Sequence, residues 1–515
     1  MRRDLAIALL LFGLALWYNL SHVTTTNFHR DEARWIHRAR FAAQLSDPLG
    51  DYWHDRDLMR GQPPVGSYLM GVGLLAQGRD TETNGLWNFS KGDLWNQWQG
   101  RVPVREDLIA ARRTDSVVGA LIAVVAFIIA RRLSNRVAGV AAALLLIPHP
   151  LSVYLSSLAG SDAILTLWVG LAALTAILLA DRPTWTRALL LGALLGLGGA
   201  TKLSPLLVAL PLAGLGLLLL IRGWRRHADP RPDDRQWRLG WMLLSQPATA
   251  AATFIAAYPY LWADPVGRSW ALFQFRAQEM EGQGEIWTNL AVDSRIEALG
   301  RVGYWLAEFH STTGWLATTV AAWFGQVWRP IGIDLLLAIV GVEMLLVLVV
   351  RHGFGSPYAL AAAVLGGQVA LIVLGMRADF ERYMYPVLLA AAVCGGLAIG
   401  TLWRGAGLLW RRWHTRRAIP PLPATQRAPV VTRPVVAAVR RQATRITAGG
   451  QTVRPVALRR TQPVVVGTLG MNPIHPRLSP PARRSTPVTR PALARGERVT
   501  RSGVDRSRVS SDAPA

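Results

Sequence analysis

The chain has 515 residues, 51% of them apolar, and a formal net charge of +24. The apolar residues fall in blocks long enough for a helix to cross a bilayer, roughly 17–25 residues, which excludes an ordinary soluble enzyme. The charge does not mark a nucleic-acid binder, because 22 arginines face 3 acids from Arg404 to the end, so +19 of the +24 sits in the tail.

Arg2-Arg3 precede an apolar run from Leu5 to Leu20. The residues after it, Ser21-His22-Val23-Thr24, form no A-x-A cleavage site, so the run is expected to remain as a first helix with its N-terminus in the cytosol. Further spans are expected over 108–130, 137–155, 161–180, 188–201, 203–221, 241–258, 332–350, 357–375 and 384–403. The apolar segment 314–327 is either an eleventh span or an interfacial helix. Short loops rich in arginine (Arg131-Arg132…Arg136, Arg182…Arg187, Arg222–Arg238) belong on the cytosolic side. Ten spans place all of them there, together with the tail.

Two large loops, 21–107 and 259–331, then face outward. The first opens with Asn27-Phe28-His29-Arg30-Asp31-Glu32-Ala33-Arg34-Trp35. Acids suit the positive end of a helix, and the pattern continues to Leu45 as an amphipathic helix expected to lie along the interface. Asp31-Glu32 reads either as chemistry at the membrane surface or as a helix-start charge pair bridged to Arg34 or Arg38. Gln62-Pro63-Pro64 makes a rigid turn. Trp87, Trp95 and Trp98 suggest interfacial anchoring more than carbohydrate stacking.

Arg112 and Arg113 stand at the outer start of the second span, where they suit a phosphate or snorkel to headgroups. Asp162 opens the fourth span, a costly depth for a carboxylate, or serves as part of a helix cap. Lys202, one of two lysines, marks the break between the fifth and sixth spans. Tyr258-Pro259-Tyr260-Leu261-Trp262-Ala263-Asp264-Pro265 and Phe380-Glu381-Arg382-Tyr383 complete seven elements, all expected on one side. No residues show metal-ligand spacing, which leaves a divalent cation open but not demanded. The lone Cys394 permits no intrachain disulfide. The tail, 404–515, is rich in Pro and Arg and expected to be disordered, with basic clusters drawn to anionic lipid.

The order of these elements resembles the polyprenyl-phosphate-sugar-dependent glycosyltransferases of the GT-C fold, among them protein O-mannosyltransferases and the aminoarabinose transferases that modify lipid A. The resemblance rests on Asp31-Glu32-x-Arg34, Pro63-Pro64, Arg112/Arg113 with Val118-Gly119, Asp162, Thr201-Lys202, the Tyr-Pro-Tyr-Leu-Trp-x-Asp-Pro run and Arg382-Tyr383…Pro386, and it covers most of 1–400. It implies an all-α GT-C membrane bundle of about ten or eleven helices over residues 1–403. It implies a multi-pass protein of the plasma membrane, with both termini cytosolic and the site extracytoplasmic.

The resemblance further implies transfer of mannose or a similar hexose, with inversion, from a polyprenyl phosphate to a protein, lipid or cell-wall glycan hydroxyl. Asp31 would be the catalytic carboxylate and Glu32 its support. Arg34, Arg112, Arg113, Lys202 and Arg382 would serve the donor phosphate, with Asp162, Gln62 and Tyr383 around the substrate. Gln62 departs from the family, which usually carries Lys or His before Pro-Pro. The expected partners are the lipid donor, an unknown acceptor and membrane lipids, with no nucleic acid. The contrasting reading is a transporter or lipid-binding scaffold; charges clustered at one face, without matching halves, disfavour a transporter.

Overall fold

The computed structural model describes residues 2–54, 59, 61–226, 234–307 and 332–418. Residues 1–422 group as one compact unit; the second unit, from Pro423, lies outside the described residues. The described chain is all-α, its only β contact a single antiparallel bridge between Ala291 and Ala378.

Among the described residues, seven helices are long and apolar enough to cross a membrane: α1 (Arg2–His22), α6 (Arg105–Leu133), α9 (Asp162–Asp181), α11 (Ser204–Arg226), α16 (Ile333–His352), α17 (Pro357–Gly375) and α18 (Tyr385–Ala418). An eighth crossing is broken: α7 (Arg136–Leu146) and α8 (Pro150–Ser156) meet at 71°. His149-Pro150 makes that bend, since proline cannot continue α7 and the His149 ring caps Leu151 N at 3.2 Å. The expected span 188–201 is α10 (Trp185–Gly199), and 241–258 is a pair, α12 (Arg235–Leu244) and α13 (Gln246–Ala256), joined at Ser245. Both are shorter than a usual span.

The two ends of the bundle carry different chemistry. At one end, Asp4 of α1 accepts from Arg131 and Arg136, Arg132 approaches Asp181, Arg235 donates to Ala180 O, and Arg404 donates to Ser134. At the other, Glu32 meets Arg112, Asp162 meets Lys202, and Asp31 meets Arg382. α9 and α18 are the most enclosed of these helices, 72% of each apolar window being buried against 17% for α1. Where α16 crosses α18, Gly341 lies against the Cys394 carbonyl, and a Cβ there would collide with it.

Three expectations are corrected. The segment after Asp31 does not lie on a surface. α2 (Arg30–His37), a 3₁₀ turn (Arg38–Arg40) and α3 (Phe41–Gln44) are packed inside, with Ala33, Ile36, Arg38, Ala39 and Phe41 fully buried against α4 (Val65–Ala76) and its neighbours. Trp87 is likewise buried, against Phe28 at 5.9 Å, while Trp98 of α5 (Asp93–Trp98) is exposed. The boundary at 403 is also too early, because α18 continues through residues 404–418. The segment 314–327 lies outside the described residues, as does the tail beyond 418.

Candidate active site

The site starts from the N-terminus of α2. The His29 ring accepts from Asp31 N at 3.2 Å, and Glu32 Oε2 accepts from His29 N at 2.9 Å, a capping box that sets the entry of the chain. The two carboxylates that follow diverge. Glu32 is 1% exposed and takes both Arg112 Nε and Nη2 at 2.7 Å, plus Ala159 N at 2.9 Å. Arg112 spends its remaining N–H groups on the carbonyls of Val23 (2.7 Å), Thr26 (2.8 Å) and Asn27 (3.1 Å). Every donor of that guanidinium is therefore used, leaving none for a phosphate. Arg113, one residue on, is exposed and joins no site residue.

The Asp31 side chain is 26% exposed and accepts from Arg382 Nη1, whose own side chain is 29% exposed. Arg382 is carried by a 3₁₀ turn (Glu381–Met384) and stacks over Phe380 at 4.8 Å, with Tyr383 at 5.9 Å. The Tyr383 hydroxyl donates to Gln283 Oε1 at 3.3 Å, on α14 (Pro265–Ile286). The His29 ring nitrogen stands 3.9 Å from Asp31, and burial holds its pKa below the ordinary histidine value, with Arg382 adding to the effect.

Arg34 lies one turn further along α2. It makes no hydrogen bond or ion pair among the described residues; Phe89 lies 5.9 Å from its guanidinium. Burial lowers its pKa from the ordinary arginine value, opposed by Glu279 and aided by Arg276. Gly61 permits the approach, since a Cβ there would stand 3.0 Å from Arg34 Nη2. Arg276 donates to Gly61 O at 3.3 Å and pairs with Glu279. Beside them, the Gln62 side-chain oxygen is buried without a hydrogen-bond partner, while its carbonyl accepts from Arg38 Nη2 at 2.5 Å. Burial brings Arg38 down to about 10.

The other motifs close the floor. Pro63 and Pro64 are buried, and the next amide, Val65 N, donates to Ala200 O at 2.8 Å, which docks the turn on the break between α10 and α11. Lys202, at that break, pairs with Asp162 at the start of α9. Gly66 sits against Ser161, a Cβ there being 3.1 Å from Ser161 Cβ. Asp115 is fully buried and takes Gly160 N at 2.6 Å, so Glu32 and Asp115 together grip the 159–160 turn ahead of Asp162. The Tyr258 hydroxyl donates to Met59 O, and the Tyr68 hydroxyl donates to Ala257 O at 3.2 Å, tying the sixth motif to the second.

Sequence reading took Arg38 for a surface partner of the two acids, and gave no role to Asp115, Arg276 or Glu279. For Arg276 and Glu279 a signal existed: Asp264-Pro265, a helix start, with the Asp264 side chain accepting from Gly267 N at 2.9 Å, followed by an i, i+3 charge pair. Among the described residues no cluster of three His, Cys, Asp or Glu could hold a metal ion.

A family model of dolichyl-phosphate-mannose-protein mannosyltransferases matches residues 104–231. It is one of the families the sequence resembles. The match contains Arg112, Arg113, Asp162 and Lys202; Asp31, Glu32, Arg34, Gln62, Arg382 and Tyr383 fall outside it. Among solved structures, ArnT from Cupriavidus metallidurans bound to undecaprenyl phosphate is 16% identical with a TM-score of 0.42, over 77% of this chain and 59% of ArnT. The oligosaccharyltransferase AglB from Archaeoglobus fulgidus, in complex with an inhibitory peptide and a dolichol phosphate, is 12% identical with a TM-score of 0.44, over 81% of this chain and 52% of AglB. The chain thus spans less than two thirds of the length of either, and neither likeness assigns a role to a residue here. No curated protein matches the chain.

Proposed function

We propose that the chain is a membrane glycosyltransferase of the GT-C kind. It moves a hexose, mannose first among candidates, from a polyprenyl phosphate to an acceptor hydroxyl on the extracytoplasmic side. The mannosyltransferase match over 104–231 supports the class. The arginine-rich Asp4 end supports the orientation, with that end cytosolic.

The observation that carries the mechanism is the contrast between two adjacent carboxylates. Glu32 is saturated and holds the loop; Asp31 is partly exposed and held by one partner. Asp31 is the general base, accepting the acceptor O–H proton as the hydroxyl oxygen attacks the anomeric carbon. Arg382 holds it oriented. The bond from the anomeric carbon to the phosphate oxygen breaks, and its electron pair leaves with the polyprenyl phosphate. Arg34, whose N–H groups lack acceptors among the described residues, takes that phosphate with Arg276 beside it. One displacement inverts the anomeric centre. Lys202 is already paired with Asp162 and shapes the floor. Gln62 offers an uncharged oxygen to a sugar hydroxyl.

The test is turnover of labelled polyprenyl-phosphate-mannose by purified protein in lipid nanodiscs, with peptide, lipid and glycan acceptors. Product of inverted configuration supports the reading. Tight donor binding without transfer or hydrolysis for any acceptor would favour a lipid-binding scaffold instead.

A further inference from the structure

The Asp4 end holds a feature that sugar transfer does not use. Arg131, Arg132, Asn135 and Arg136 line an open cleft of about 400 Å³ where α6 turns into α7. Its arginines are placed, not loose. Asp4 takes Arg131 Nη2 at 2.5 Å and Arg136 Nε at 2.6 Å, so one carboxylate fixes two guanidinium groups from opposite sides of the turn. Asn135 Nδ2 donates to Gly400 O at 2.8 Å, anchoring the turn on α18. Arg132 stands 3.6 Å from Asp181, beyond hydrogen-bond length.

The remaining N–H groups of Arg131 and Arg136 have no acceptor among the described residues. Arg2, Arg3 and Arg404 lie at the same end and add to its positive charge. Beside the cleft, α1 turns Leu5, Leu9 and Leu10 outward, each more than half exposed. Fixed guanidinium donors above an apolar helix face match a phosphate diester that carries acyl chains.

We propose that this cleft is a binding site for a phosphate group, supplied by the headgroup of an anionic phospholipid in the leaflet opposite the active site. It orders the α6–α7 turn and the N-terminus of α1 against α18.

The experiment is native mass spectrometry of the full chain released from phosphatidylcholine nanodiscs doped with phosphatidylglycerol. Arg136→Gln and, separately, Arg132→Gln should each cut retained phosphatidylglycerol about fivefold. Arg225→Gln removes an exposed arginine at the same end, outside the cleft, and should leave retention unchanged. Arg132→Gln frees no buried carboxylate, which keeps the test valid if Arg136→Gln misfolds. Equal loss in all three variants, or loss in none, would overturn the proposal, since diffuse surface charge then accounts for retention. A further arm adds inorganic phosphate. Failure of millimolar phosphate to displace the lipid supports a headgroup; displacement supports the phosphate site and makes its ligand a soluble phosphate.

Discussion

Asp31 and Glu32 are neighbours in sequence and opposites in structure. Around Glu32 the account closes: two guanidinium nitrogens and two backbone amides fill the carboxylate, and every N–H of Arg112 is taken. Around Asp31 and Arg34 it stays open, with one hydrogen-bond partner for the acid's side chain and none for the arginine's among the described residues. A saturated buried ion pair can hold a loop but has nothing left to offer a substrate. An under-coordinated, partly exposed group can bind and react. The difference separates the framework of this site from its working surface.

The comparison breaks most visibly at the closed pair. Arg112→Gln leaves Glu32 buried without its charge partner, and the expected loss is about 3–5 kcal/mol, read as a large fall in melting temperature and in folded yield. Arg34→Gln belongs to the open region. It should lower kcat/KM for the lipid donor about 100-fold or more while stability moves by less than about 1 kcal/mol. Arg34→Lys should recover only part of that activity, because an ammonium lacks the planar fork. If Arg34→Gln instead destabilised the protein as Arg112→Gln does, the division would fail.

The third prediction is one of pH. His37 is 7% exposed, its Nδ1 2.7 Å from Asn84 O, and burial brings its pKa from 6.5 down to about 4. The unfolded chain binds this proton at higher pH than the folded one. The stabilisation is therefore complete above pH 6.5 and is lost as pH falls towards 4, by up to about 3 kcal/mol. Melting temperature followed over that window should show a slope that His37→Asn removes. Gly61→Ala is subtler. Its Cβ, 3.0 Å from Arg34 Nη2, should shift that guanidinium and raise the KM for donor about threefold to tenfold with kcat little changed. Smallest of all is deletion of 420–515, which should leave transfer rates within about twofold.

Hydropathy made the spans legible because burial in lipid demands long apolar runs, and even short α10 and the broken α12–α13 pair fell where expected. That Asp31 and Glu32 form a local pair of acids at a helix start was also legible. Their division of labour was not, because it depends on partners 80 residues away for Glu32 and 351 away for Asp31. Local spacing pointed instead to Arg34 or Arg38. Arg38 read as one more cation on a surface helix, yet it is buried beneath the site with Phe41 4.5 Å from its guanidinium. A charged residue on a half-apolar helix looks the same in sequence whether its polar face meets water or a buried carbonyl.

The most direct measurement is the single-turnover rate of Asp31→Asn against wild type, at saturating donor and acceptor, with melting temperatures taken alongside. The account predicts a rate lower by about 100-fold to 10,000-fold and a melting temperature within about 2 °C of wild type. A rate within about threefold of wild type, in protein of equal stability, would remove Asp31 from the chemistry and contradict the account.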